Sequence, residues 1–277
     1  MAFEKYHLNG KTAVITGGAG LLGIEHAYAL LEAGAQIILT DIRMKDLLKT
    51  KNKLCKLYEE NLIHLQVMDV TSKKSIYSIS EYVNKKKMRV DILINNAAIN
   101  PKVDNKKGVV QSSQLEVFSQ EEWNLQLNVG LTGAFLCSQI FGTMMAKDEA
   151  GGVILNISSD LSIISPDQRI YKKKGIDDKY QPVKPVSYSV IKSGLIGLTR
   201  YIATYWAEKG IRCNALSPGG VYTNQNKEFT NKLSYLIPMG RMANISEYRS
   251  TIQYMCSDAS SYMNGQNIVI DGGRSVW

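Results

Sequence analysis

Short apolar runs alternate with longer stretches of helical period along most of the chain. Thr12–Thr16, read T-A-V-I-T, is β-branched and bounded by polar residues and glycine, which predicts a buried strand. Gln36–Thr40, Ile63–Met68, Val90–Ile94, Gly152–Ile157, Arg212–Leu216 and Gln266–Ile270 repeat the pattern, for about seven strands. Helical stretches lie between them. Leu21–Ala33 is closed by Gly34, Met44–Glu60 is polar, and Ser75–Lys87 follows Ser72 as its cap. Gln120–Lys147 follows a capping box of Ser119 and Glu122. A further helix carries Tyr188 and Lys192 to about Lys209, and short helices fill Tyr222–Ser257 with a cap at Ser246. Ile99–Ser119 reads as a polar connection and Ser162–Pro185 as an irregular segment. Each strand is a continuous apolar run, not a two-faced alternation. That predicts an α/β fold: a doubly wound parallel sheet with helices on both faces, in three layers α/β/α. Such sheets bind ligands at the carboxyl ends of their strands.

At 277 residues, 44% of them hydrophobic, the chain suits one α/β domain over residues 1–277 with an insertion at 162–185. Two smaller domains would also fit the length, but no linker divides the chain. The net charge is +8, with lysines clustered at Lys49–Lys56, Lys73–Lys74, Lys85–Lys87 and Lys172–Lys174. Aromatic interleaving and nucleic-acid motifs are missing, so these read as solvated helix faces and no nucleic-acid partner is expected. The first residues carry no apolar signal-peptide run. The most apolar stretch, Gly130–Met145, is broken by Thr132, Ser138 and Gln139, so no membrane span is expected. Cys55, Cys137, Cys213 and Cys256 are widely spaced, as are His7, His26 and His64. They predict reduced thiols in a cytoplasmic protein and no metal site.

Two stretches carry chemistry. Thr16–Gly23 reads T-G-G-A-G-L-L-G, and Gly18, Gly20 and Gly23 give G-x-G-x-x-G between a strand and a helix. Glycines there allow a tight turn and close approach of a pyrophosphate to the helix N-terminus. Asp41 follows 18 residues beyond Gly23, at the end of the second strand. A carboxylate there would bond both ribose hydroxyls and repel a 2′-phosphate, which selects NAD over NADP; Arg43 nearby softens that choice. The second stretch, S-Y-S-V-I-K, puts Tyr188 and Lys192 four residues apart, on one face of a helix. A fixed ammonium favours phenolate and would lower the tyrosine's pKa from near ~10 by roughly 1–3 units, towards proton exchange with an alcohol or carbonyl. An exposed aromatic and an exposed lysine on an amphipathic helix would leave the same trace.

Together these residues resemble the short-chain dehydrogenase/reductase family along essentially the whole chain, and that family's fold is of Rossmann type. The matching motifs are the glycine loop, Asp69-Val70, N-N-A-A at Asn95–Ala98, and Trp123 with Asn128. N-I-S-S at Asn156–Ser159, Y-S-V-I-K, P-G-G at Pro218–Gly220 and D-G-G at Asp271–Gly273 follow in the family's order. The resemblance implies an NAD-dependent enzyme in which Tyr188 is the acid/base. Lys192 would hold the nicotinamide ribose, Ser159 would orient the substrate oxygen, and Asn128 would anchor a proton relay. It implies cofactor contacts from Gly17, Gly20, Leu21, Leu22, Asp41, Asp69, Val70, Asn96, Ala97, Tyr188, Lys192, Pro218, Gly219 and Val221. Family dimers and tetramers imply a homodimer or homotetramer, and Gly130, Gly133, Ala134 and Gly142 would let a second helix come close.

Two features depart from the classical branch. The spacing T-G-x-x-G-x-x-G is similar to the extended branch, which often handles nucleotide sugars. Ser159 and Tyr188 are 29 residues apart, where the classical branch has about a dozen between them. The intervening D-L-S-I-I-S-P-D-Q-R-I-Y-K-K-K…Q-P-V-K-P-V-S-Y-S-V-I-K, together with T-G-G-A-G-L-L-G, resembles the flagellin modification protein A group, similar to sugar dehydrogenases of bacterial nonulosonate (legionaminate-type) pathways. By that likeness the substrate is a small molecule, an anionic sugar phosphate or nucleotide sugar. The insertion reads as a mobile lid in which Arg169 and Lys184, beside Ser159 and Tyr188, meet the substrate. It could equally be a solvated loop. Two other functions stay open: a short-chain reductase of an acyl or small ketone substrate, and a non-catalytic dinucleotide sensor.

Overall fold

The computed structural model describes residues 2–99 and 113–277. Most of the expected connection Ile99–Ser119 lies outside the described residues. Seven strands form one parallel sheet: β1 (Thr12–Thr16), β2 (Gln36–Asp41), β3 (Ile63–Val67), β4 (Ile92–Asn95), β5 (Gly152–Ile157), β6 (Ile211–Pro218) and β7 (Asn267–Ile270). Their order is β3-β2-β1-β4-β5-β6-β7. The chain runs outward from β1 to β3, then returns to β4 on the other side of β1. The order therefore reverses between β1 and β4, and a crevice opens there at the carboxyl ends.

The helices are α1 (Leu21–Glu32), α2 (Met44–Leu54), α3 (Lys73–Lys85), α4 (Gln120–Leu127), α5 (Gly133–Lys147), α6 (Val186–Tyr205), α7 (Lys227–Tyr235) and α8 (Arg249–Cys256). Successive strand residues face opposite sides, and the core divides accordingly. Ile15, Ile37, Leu39 and Leu155 pack with Leu30 of α1, Leu47 of α2 and Ile252 of α8. Val14, Ile38, Leu93 and Ile154 pack with Ile79 of α3, Phe141 of α5 and Ile202 of α6. Each fully buried Leu, Ile or Phe contributes about 1.5–3 kcal/mol, so both helix layers are held by the sheet.

The differences from expectation have local causes. α2 stops at Leu54, short of Glu60. Leu54 is its last core residue, whereas Leu57 is exposed, and a helix without a buried face gains little from continuing. The cap expected at Ser246 is Asn244, whose backbone N–H donates to Glu247 in a capping box. The long helix is two helices joined by a π turn at Asn128–Thr132. A Cβ on Gly130 in that turn would stand 2.8 Å from Ile191 Cγ2 of α6, so the glycine permits the approach. Gln120–Lys147 is long and apolar enough to cross a membrane by length and composition. Its Cys137, Phe141 and Met145 are instead core residues of this fold.

Candidate active site

A cleft of about 1060 Å³ lies at the switch point. Gly17, Gly20, Leu21, Leu22, Asp41 and Asn96 line it at the β1 end. Gly17 has φ +60°, and a Cβ there would stand 2.9 Å from Ala97 Cα. A Cβ on Gly23 would stand 2.3 Å from Gly17 O. The loop is thus folded so tightly that only glycine fits at both positions. Gly20 caps α1 without a side-chain bond, so the first N–H groups of the helix face the cleft. Asn96 Nδ2 braces the loop by donating to Thr16 O and Gly17 O, each at 3.0 Å. Asp41 Oδ2 accepts from Ala19 N at 3.2 Å, and Arg43 is held by Asp46 at 2.6 Å. Free amides at a helix start, a turn without side chains and a carboxylate beyond fit a dinucleotide's pyrophosphate and ribose. Asp69, Val70 and Ala97 do not line the cleft. Asp69 bonds Thr71 N, while Val70 packs where a Cβ on Gly133 would fall.

The other end holds Ser159, Tyr188, Lys192, Pro218, Gly219 and Val221. Ser159 follows β5, and Tyr188 and Lys192 lie one turn apart on α6. Lys192 is buried; its Nζ donates to Ile157 O at 2.7 Å and stands 5.7 Å from the Tyr188 ring centre. Burial lowers its pKa to about 8, with help from the charge of Lys184. The lowering expected for Tyr188 is not what this cleft gives. Burial pushes the phenol up, a hydrogen bond with Ser159 opposes that, and the Asp160 carboxylate adds to it. Desolvation wins because it penalises a buried phenolate directly.

Asn128 is exposed and does not line the cleft. The residue expected to anchor the relay thus stands outside the cleft lining. From that part of the chain the cleft receives Gln126, buried, whose Oε1 accepts from Ser187 Oγ at 2.5 Å. Arg169 is also off the cleft. It is exposed and clamps Asp167 with Nε and Nη2 at 2.8 and 2.7 Å. Lys184 does reach the cleft, and its Nζ lies 3.6 Å from the Tyr188 ring centre.

The insertion is braced, not loose. Gln181 is buried and exchanges bonds with Lys173 in both directions, and its Nε2 also donates to Ile176 O. Ile170 packs with Leu233, Ile237 and Met242. The brace carries Tyr171 and Lys184 into the cleft. Sequence reasoning missed Tyr171, Gln126, Asp160 and Arg274. Asp160 and Arg274 form a buried ion pair at 2.7 Å, and Asp160 Oδ1 accepts the Ser159 hydroxyl at 2.8 Å. The only clue to the pair was position: Asp160 adjoins Ser159, and Arg274 follows D-G-G.

The short chain dehydrogenase family model matches residues 11–171, and an enoyl-(acyl carrier protein) reductase model matches residues 177–275. The chain belongs to the short-chain dehydrogenase/reductase family and is an NAD(P)-dependent oxidoreductase. It is 30% identical to the NAD-dependent glycerol dehydrogenase of Listeria innocua, over 99% of this chain and 98% of that one. It is 28% identical to a probable NADP-dependent mannitol dehydrogenase of Yarrowia lipolytica, over 98% and 89%. A short-chain dehydrogenase of Leptospira borgpetersenii with bound NAD+ superposes with a TM-score of 0.78 at 29% identity, covering 99% and 95%.

Proposed function

We propose that this chain is a single-domain, NAD-dependent dehydrogenase of a secondary alcohol on a sugar-like substrate. The observation that carries the reading is the meeting of Ser159, Tyr188 and Lys192 in one cleft with the glycine loop. NAD supplies the hydride acceptor when bound. Tyr188 Oη takes the hydroxyl proton of the alcohol, or returns it to a ketone in reverse. Ser159 Oγ holds the reacting oxygen. Lys192 holds the nicotinamide ribose, and the Gly17–Leu22 loop holds the pyrophosphate. Asn96 steadies that loop, while Pro218, Gly219 and Val221 border the nicotinamide. Asp41 favours NAD, and its competitor Arg43 is occupied by Asp46.

The names of the glycerol and mannitol dehydrogenase relatives support a polyol or sugar substrate. Among the described residues Lys184, Lys192 and Arg274 line this end with Asp160 and Glu122, and that excess of cations supports an anionic one, a sugar phosphate or nucleotide sugar. The D-L-S-I-I-S-P-D-Q-R motif supports a place in bacterial surface-glycan synthesis of the flagellin-modification type, in the cytoplasm. Exposed Phe135, Val190, Tyr201 and Tyr205 on α5 and α6 support a homodimer or homotetramer, checked by light scattering. The test of function is NAD(H)-coupled turnover across polyols, sugar phosphates, nucleotide sugars and acyl ketones. Phosphorylated or nucleotide sugars should give the highest kcat/KM, and Tyr188→Phe should lower kcat by roughly 10²–10⁴-fold. A preference for acyl ketones, or near-normal kcat in Tyr188→Phe, would defeat the reading.

A further inference from the structure

Two ammonium groups flank Tyr188, and the nearer is not the one on its own helix. Lys192 Nζ is 5.7 Å from the ring centre and already donates to Ile157 O. Lys184 Nζ is 3.6 Å from the same centre. The chain holds residue 184 in place. Lys184 N donates to Gln168 Oε1 at 2.8 Å, and Gln168 Nε2 donates back to Lys184 O at 3.2 Å. Val183 N donates to Ser113 Oγ at 3.0 Å. Pro182 and Pro185 fix φ on either side. A lysine that merely covered a surface would not require this bracing.

We propose that Lys184 is a positioning residue that sets the proton affinity of Tyr188, its ammonium on the ring face favouring phenolate over phenol. The inference rests on Tyr188 being the acid/base. A cation is drawn to the negative face of an aromatic ring, and more strongly once the ring carries the charge of a phenolate. An opposite charge within about 4–6 Å lowers an acid's pKa by roughly 1–3 units. The need is evident, since burial and Asp160 both push Tyr188 up. Among the described residues the other groups facing it are Ser159 and Asp160 after β5, Tyr171 from the insertion, Lys192 on α6 and Arg274 after β7, with Glu122 of α4 lining the same cleft. Arg274 is committed to Asp160, which leaves the two lysines to act on the phenol. Burial brings both lysines to about 8, so both are charged at neutral pH.

The test titrates tyrosinate by ultraviolet absorbance in the full chain, in Lys184→Met and in Lys184→Arg. Each is read against the same protein with Tyr188→Phe added, which isolates Tyr188 from the other tyrosines. Lys184, lowered to about 8, is itself neutral at the high pH where Tyr188 ionises, so the Tyr188 midpoint should lie about 1 unit or more lower in Lys184→Arg, which keeps its charge, than in Lys184→Met. With any alcohol that turns over, the rising limb of kcat/KM against pH should move by the same amount, while Kd for NAD stays unchanged. Lys184→Gln replaces the Met variant if that fails to fold. An unmoved midpoint overturns the proposal. If KM alone then rises for a charged substrate, Lys184 is a substrate anchor and nothing more. The absorbance titration needs no substrate, so it decides the matter even if the sugar reading fails.

Discussion

Acidification should unload stability from one buried imidazole. His26 lies on α1, three residues after the tight Gly23, and is fully buried. Neither ring nitrogen has a well-formed hydrogen bond among the described residues, and the Asn96 side chain beside it only partly offsets the burial. Burial lowers its pKa from the ordinary 6.5 to about 4. The native ring therefore stays neutral in a pH range where the unfolded chain has taken a proton. Between those two values the unfolded state binds more protons, so stability falls with falling pH. At about 1.4 kcal/mol per unit the loss across the window is roughly 3 kcal/mol. Above 6.5 the contribution is complete, and below about 4 the loss stops growing because the native ring also protonates. Urea unfolding from neutral pH down to 4, for the parent and for His26→Leu, measures it. The stability of the parent relative to the variant should fall by about 3 kcal/mol over that range. His64, also lowered by burial, is common to both proteins and cancels. Curves that stay parallel would refute the assignment.

Three further outcomes are expected. Arg274→Met leaves Asp160 charged and buried, and should cost about 3–5 kcal/mol in urea unfolding; adding Asp160→Asn should recover part of it. Asp41→Ala should narrow the gap between NAD and NADP affinity in calorimetric titration, and tighter NADP binding by the parent would mean that Arg43 prevails. Gly23→Ala should abolish NAD binding, since its Cβ would fall 2.3 Å from Gly17 O, whereas Gly197→Ala on α6 meets nothing within 4 Å. The latter should raise unfolding stability by up to about 1 kcal/mol through helix propensity, unless another copy of the chain packs there.

The fold was legible because its inner strands are buried on both faces. Residues such as Ala13, Val14 and Ile15 must all be apolar when both sides of β1 are covered, and that leaves an unbroken run in the sequence. Helix ends were less legible because burial decides them. Leu54 and Leu57 look alike in sequence, yet only the first meets the sheet layer. At the cofactor end the glycine loop and Asp41 line the cleft, whereas Asp69, Val70 and Ala97 do not. Gly17 and Gly23 serve backbone geometry, which is local, and Asp41 sits where a strand ends.

At the reacting end, residues expected from the sequence reach the cleft by different routes. Tyr188 and Lys192 needed nothing beyond the i, i+4 rule. Asn128 needed the phase of a helix that the π turn alters: the turn's extra residue per hydrogen-bonded ring rotates one half of the helix against the other. Gly130 then lies against α6 while Asn128 is exposed. Arg169 and Lys184 posed the same problem across a longer segment. Both are cations in one insertion, and composition treats them alike. Arg169 is spent on Asp167 two residues away, while Gln168 and two prolines carry Lys184 onto the tyrosine. Arg274 lies 114 residues from its partner Asp160, a distance no local pattern spans. A cleft built from a strand end, a braced insertion and the C-terminal turn can therefore change its charges by substitutions far apart in sequence. The tyrosine, the lysine on its helix and the glycine loop are each placed by local geometry instead.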